Sequence, residues 1–136
     1  DVEANISLQE PFAAPREAVK PYSITESEPL EHNTYLTCSM TAGDVLNREE
    51  YIAFQILDYA LCSSQGAPLK QALLDAGIGE DIYSDYDNGT RQPYFSIVAK
   101  NADASRKEEF LRITGKACCR GTGSKAFAGR PELLRI

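Results

Sequence analysis

The stretch Thr34-Tyr35-Leu36-Thr37-Cys38-Ser39-Met40-Thr41-Ala42-Gly43 decides how the fold is read. Its residues alternate. Leu36, Cys38, Met40 and Ala42 share one side, and Tyr35, Thr37, Ser39 and Thr41 share the other. A period of two with β-branched and aromatic residues predicts a strand buried on one face. Working outward, Asn47 with Glu50 three residues on resembles a capping box, with Asn in place of Ser or Thr. From Arg48 to Leu61, Ile52/Ala53, Ile56/Leu57 and Ala60/Leu61 recur at helical spacing with Tyr59 alongside, which predicts a well-buried amphipathic helix ending near Ser63-Ser64-Gln65-Gly66.

A second helix is expected from Pro68, a favoured first-turn residue, with Leu69, Ala72, Leu73 and Ala76 as its apolar stripe. Gly77 suits the left-handed residue that closes it. Two further strands are expected at Ile82–Tyr86 and Tyr94–Ala99, joined through the turn Asp87-Asn88-Gly89-Thr90. Asn101-Ala102-Asp103 reads as a turn, with Asp103 or Ser105 capping a helix that opens near Ala104 and carries Phe110, Leu111 and Ile113. On the N-terminal side, residues 1–31 read as a linker or draped segment, because Pro11, Pro15, Pro21 and Pro29 break any helix. Pro21-Tyr22-Ser23-Ile24 is expected to form a short strand. The order β-α-α-β-β-α predicts an α+β fold, an antiparallel sheet covered on one face by helices.

The chain has 136 residues, the length of one domain, and 43% of them are hydrophobic. No apolar run approaches the ~20 residues of a membrane helix, so no membrane partner is expected. The start of the chain, Asp1-Val2-Glu3, reads as a cut from a longer protein rather than a signal peptide, and a cytoplasmic location is expected. The net charge of −6 is unevenly spread: residues 1–113 hold 9 Lys+Arg against 19 Asp+Glu, and residues 114–136 hold 5 against 1. The acidic part is expected to repel nucleic acid and anionic lipid, since it offers few cations to phosphates. Cys38 and Cys62 are expected as buried thiols, while Cys118 and Cys119 are too close to bridge without strain.

The chemistry-bearing residues form no catalytic constellation. His32 is the only histidine, and nothing near it in sequence makes a metal or triad set, so a solvated loop position is expected. Asn88-Gly89-Thr90 has the form of a glycosylation sequon but reads as a turn. Arg120-Gly121-Thr122-Gly123-Ser124-Lys125 has Gly, Lys and Ser in the wrong order for a phosphate loop. Glu49-Glu50 and Asp85/Asp87 read as surface charge, because paired-carboxylate catalysis needs two groups facing each other across a cleft.

Gly66-Ala67-Pro68-Leu69-Lys70-Gln71-Ala72-Leu73-Leu74-Asp75-Ala76-Gly77-Ile78-Gly79 resembles a family signature, together with Tyr35-Leu36, Ile56-Leu57-Asp58-Tyr59 and Phe95-Ser96-Ile97-Val98-Ala99-Lys100-Asn101-Ala102. In order and spacing, over residues 11–113, these blocks resemble the insulinase-type (pitrilysin) zinc metallopeptidases, in the presequence-protease branch. The resemblance implies the second, non-catalytic domain of the N-terminal half, with residues 32–113 as a partial domain. It implies structural roles: Gly66 and Pro68 shape the turn between helices, Leu69 and Leu73 pack the core, and Gly77 caps. The family's H-x-x-E-H zinc motif cannot be placed on a chain with one His, so the resemblance implies no cofactor and no activity in this chain. Zinc, catalysis and the peptide substrate would belong to the parent enzyme, a peptide-degrading hydrolase whose remaining domains would be the partners. This domain would form part of a substrate-chamber wall. The alternative is a stand-alone inactive binding or assembly module, like the inactive core subunits of respiratory complexes. A third reading, a nucleic-acid binder using the basic tail, predicts salt-sensitive binding lost on deleting residues 114–136.

The tail has a further reading. Thr114-Gly115 opens a Gly-, Cys- and Arg-rich run with no evident helical period. Codons for residues 128–136, read at a one-base offset, can spell Gln-Ala-Gly-Leu-Asn-Tyr-Tyr-Glu-Phe, which resembles the helix the family would place there. Residues 114–136 are therefore expected to be an aberrant, frame-shifted segment.

Overall fold

The computed structural model describes residues 7–10, 12–29 and 31–122, with side chains described through residue 116. Three strands, β1 (Thr34–Thr41), β2 (Asp81–Asp87) and β3 (Tyr94–Ala102), form an antiparallel sheet in the order β1-β3-β2. Helices α1 (Arg48–Asp58), α2 (Pro68–Asp75) and α3 (Lys107–Thr122) complete the expected β-α-α-β-β-α order. β3 is central because both hairpin-like neighbours pair with it: Cys38 lies opposite Ile97, and Ser84 lies opposite Ile97 from the other side. Its burial matches that place, with Phe95 through Ala99 all buried.

The core lies between the sheet and the helices. Cys38, Ile82, Phe95, Ile97 and Ala99 meet Leu61, Leu69, Leu73, Ile78 and Phe110. Each such aliphatic or aromatic side chain contributes about 1.5–3 kcal/mol on burial. Phe54 adds a ring stack on Tyr86 at 5.6 Å and a tilted contact to Phe95 at 6.1 Å.

Asn47 caps α1 by accepting from the Glu50 N–H at 3.4 Å. The reciprocal half of the capping box is replaced, since the Asn47 N–H donates to the Asp44 carbonyl at 2.9 Å. A π turn, Tyr59–Ser63, continues α1 and points Leu61 and Cys62 into the core. The helix is not buried as its spacing predicts. Ile52, Ile56 and Tyr59 face outward, with Ile56 63% exposed, and none of α1 is fully buried. The helix has two apolar stripes, and the sheet takes the one carrying Phe54 and Leu57.

Three further boundaries differ from expectation. β3 runs on to Ala102, into the turn expected at Asn101–Asp103: Asn101 adopts a left-handed φ of 53°, and Ala102 still pairs with Thr34. Residues 21–24 form no strand: Pro21 lacks an N–H to donate, and the Tyr22 hydroxyl is taken up by Asn33. Asp103 caps a short 3₁₀ turn, Ala104–Arg106, by accepting from the Ser105 N–H at 2.8 Å. From there α3 passes the expected break at Thr114 and continues to Thr122. Thr114 is buried, and it follows Phe110 at the helical spacing of four, which Cys118 repeats in the sequence. Residues 123–136 lie outside the described residues, and with them most of the expected frame-shifted segment and the end of the phosphate-loop-like stretch.

Candidate functional site

The five residues singled out from sequence gather around α2. Gly66 has a φ of +73° in the turn before the helix, and Pro68 occupies the first helical turn. Leu69 and Leu73 are completely buried against the sheet, one helical turn apart. Gly77, at φ +66°, closes the helix: its N–H donates to the Leu74 carbonyl at 2.9 Å, and the Ile78 N–H donates to the Leu73 carbonyl at 2.9 Å. Those two bonds and the buried Ile78 make a Schellman closure. Arg106 reinforces it by donating to the Ala76 carbonyl at 2.7 Å. This cluster shapes the domain and presents no reactive group outward.

Other chemistry-bearing residues are dispersed. His32 is exposed on a turn at φ 55°. Among the described residues no group of three or more His, Cys, Asp or Glu converges as metal ligands do. The described donors therefore supply no zinc site, and the side chains of Cys118 and Cys119 lie outside the described residues. Cys38 and Cys62 are buried thiols outside any disulfide, and burial pushes the Cys62 thiol above its usual range. Asn88-Gly89-Thr90 lies in the β2–β3 turn, where Asp87 accepts from the Gly89 N–H at 3.0 Å.

The feature that sequence reading did not assemble is the sheet's other face. Residues pointing away from the helices form rows across the three strands: Asp87, Tyr94 and Thr41; Asp85, Ser96 and Ser39; Tyr83, Val98 and Thr37. Ser39 and Ser96 are buried and joined hydroxyl to hydroxyl at 2.7 Å. Tyr94 donates to Asp87 at 2.8 Å, which holds the Asp87 carboxyl below its usual range and raises the Tyr94 hydroxyl.

Residues 7–10 and 12–29 form a strap across this face. At one end the Gln9 N–H donates to Gln92 Oε1 at 2.6 Å, and Gln92 Nε2 returns a bond to the Gln9 carbonyl at 3.1 Å. At the other, Tyr22 donates to the Asn33 carbonyl at 2.6 Å and packs edge-on against Tyr35 at 5.4 Å. Lys107 of α3 pairs with Glu17 of the strap at 2.6 Å. Between sheet and strap lies a groove of about 1350 Å³, lined by residues that include Phe12 and Ser96 and by four of the chain's seven tyrosines, Tyr22, Tyr35, Tyr83 and Tyr94. The outward alternation of β1 was legible in the sequence; the strap that makes a groove of that face was not, because Gln9 and Gln92, which anchor one end, lie 83 residues apart.

A family model described as the peptidase M16 inactive domain matches residues 1–116, taking in strap, sheet and the first part of α3. The chain is also similar to "Protein HypA" of Clostridium perfringens (strain 13 / Type A), 39% identical over 113 residues. That alignment covers 83% of this chain and 12% of the relative, so the chain spans a small part of the longer protein it matches. The resemblance carried by the Gly66–Gly79 block and its neighbours thus leads where the fold does: the chain belongs to the insulinase-type M16 peptidase family, as its inactive, non-catalytic domain.

Proposed function

We propose that this chain acts as part of the wall of a substrate chamber in a zinc-dependent, peptide-degrading metallopeptidase. Hydrolysis by zinc-activated water would take place on another domain of the parent protein. The observation that carries the reading is the strapped groove: an inactive-domain chain keeps one sheet face free of helices and lined with tyrosines and hydroxyls. Such a surface offers apolar ring faces and hydrogen-bonding groups to an extended chain without requiring one sequence. The relative's much greater length leaves room for the catalytic and remaining domains as partners.

The test uses the isotopically labelled chain and a set of short unstructured peptides. The reading expects amide shifts at Thr37, Tyr83 and Ser96, and no peptide cleavage sensitive to a chelator. Chelator-sensitive cleavage by the chain itself, or shifts confined to the helical face, would overturn it. The tail belongs to the same reading. The family match stops at residue 116, in keeping with a reading frame that shifts near residue 113 or 114. Independent resequencing that finds an unbroken frame through codons 110–136 would refute the shift.

A further inference from the structure

The groove carries an uneven set of charges. Arg91, which lines it, is neutralised by Asp44, with Nε 3.1 Å from the carboxylate. Asp87 is committed to the Tyr94 hydroxyl and the Gly89 N–H. Asp85 lies between them and Tyr83 on the outward side of β2, exposed, with no ion-pair or hydrogen-bonding partner among the described residues. Its neighbours on that face are two half-exposed rings. Tyr83 lies two residues before it on the same strand, and Tyr94 lies one row away on β3. A free carboxylate between two tyrosine faces matches a cation that wants a counter-charge and a π surface together. The buried Ser39–Ser96 pair behind it closes the floor.

We propose that Asp85, Tyr83 and Tyr94 form a subsite for an arginine or lysine side chain of an extended peptide lying in the groove. This rests on the chamber-wall reading and adds a charge preference to it. Charge complementarity selects the occupant. Residues 1–113 carry a large acidic excess, and the groove's own guanidinium is already paired, so an acidic segment would meet uncompensated repulsion. A membrane or nucleic-acid surface would bring phosphates and be repelled in the same way.

The experiment measures anisotropy of a short fluorescein-labelled Gly/Ser peptide carrying arginines, beside versions with glutamates or with no charge. Asp85→Asn and Asp85→Lys are compared with Asp75→Lys, an acidic residue on α2 away from the groove, after thermal melts establish that each variant folds. The arginine peptide should bind the native chain about fivefold tighter than the uncharged one. That preference should vanish in Asp85→Asn, reverse in Asp85→Lys, and survive in Asp75→Lys. Tyr83→Leu should weaken the arginine peptide alone, because it keeps an apolar surface and loses the ring face. Equal loss in Asp75→Lys would show nonspecific charge attraction and overturn the subsite. Binding of all three peptides alike, with shifts on the groove face, would also overturn it while leaving the chamber wall intact. If no peptide perturbs that face, both readings fall.

Discussion

Gly79→Ala tests how tightly the crossing from α2 into β2 is held. Gly77 and Gly79 both have positive φ, +66° and +79°. A side chain at either therefore faces the ~1–2 kcal/mol cost of the left-handed region. Part of it is offset, since alanine also restricts the unfolded chain by about 0.4–1 kcal/mol. There the two sites part. A Cβ at Gly77 meets nothing within 4 Å, whereas at Gly79 it would sit 2.7 Å from the Lys100 carbonyl and 3.3 Å from the Ala99 Cβ. The Lys100 carbonyl is backbone of the central strand and already accepts from the Glu80 N–H at 2.9 Å. Relieving the overlap displaces that bond, at about 0.5–1.5 kcal/mol, and strains the first residues of β2. Gly77→Ala should therefore cost about 1 kcal/mol, and Gly79→Ala about 1.5–2.5 kcal/mol. Urea unfolding followed by circular dichroism resolves them: at ~1–3 kcal/mol per molar urea, the Gly79 variant's midpoint should fall about twice as far. Equal midpoints would refute the close approach at Lys100.

Leu73→Ala should destabilise by about 2–5 kcal/mol, read as a lowered melting temperature, because the side chain is completely buried on the inner face of α2. Ile56→Lys should change stability by no more than about 0.5 kcal/mol, since its side chain faces outward on α1; a loss of several would restore the expectation of a buried helix. Cys38 and Cys62 should resist alkylation at pH 8 until denaturant is added, and Cys62 doubly so, because burial raises its thiol; mass-spectrometric mapping of labelled peptides checks both. The Asp87–Tyr94 tie should respond to acid. Asp87 is held below its ordinary range, so its contribution is complete above the unfolded carboxyl's pKa of about 3.9 and is lost as pH falls through the lower folded value. An Asp87→Asn variant should therefore show a flatter stability profile below about pH 4 and the same slope between pH 5 and 8.

The strands and α2 were legible because their signals are local. The alternation of Thr34–Thr41 names its own inner face, and Pro68 and Gly77 bracket a helix whose buried leucines are one turn apart. Helix α1 was misjudged for a physical reason: its residues make two apolar stripes, and periodicity does not say which one the sheet takes. The sheet takes Phe54 because Tyr86 and Phe95 are there to receive it. Thr114 read as the start of a break because the run after it is rich in Gly, Cys and Arg, yet Thr114 is buried and α3 continues through it. The groove needed information no local window holds. Gln9 must find Gln92, Glu17 must find Lys107, and only then does an outward strand face become the floor of a groove.

The order β1-β3-β2 also gives the sheet two unlike borders. On one side, β2 carries Asp81, Asp85 and Asp87, and rows of like charge deter another strand from aligning there. On the other, β1 reads Thr-Tyr-Leu-Thr-Cys-Ser-Met-Thr, eight residues with no charge and no proline. A sheet so marked is protected against growth in one direction and open to it in the other. Any strand added to this domain, whether a proper neighbour from the longer protein or a misfolded copy at high concentration, will join at β1 and make that strand an interior one.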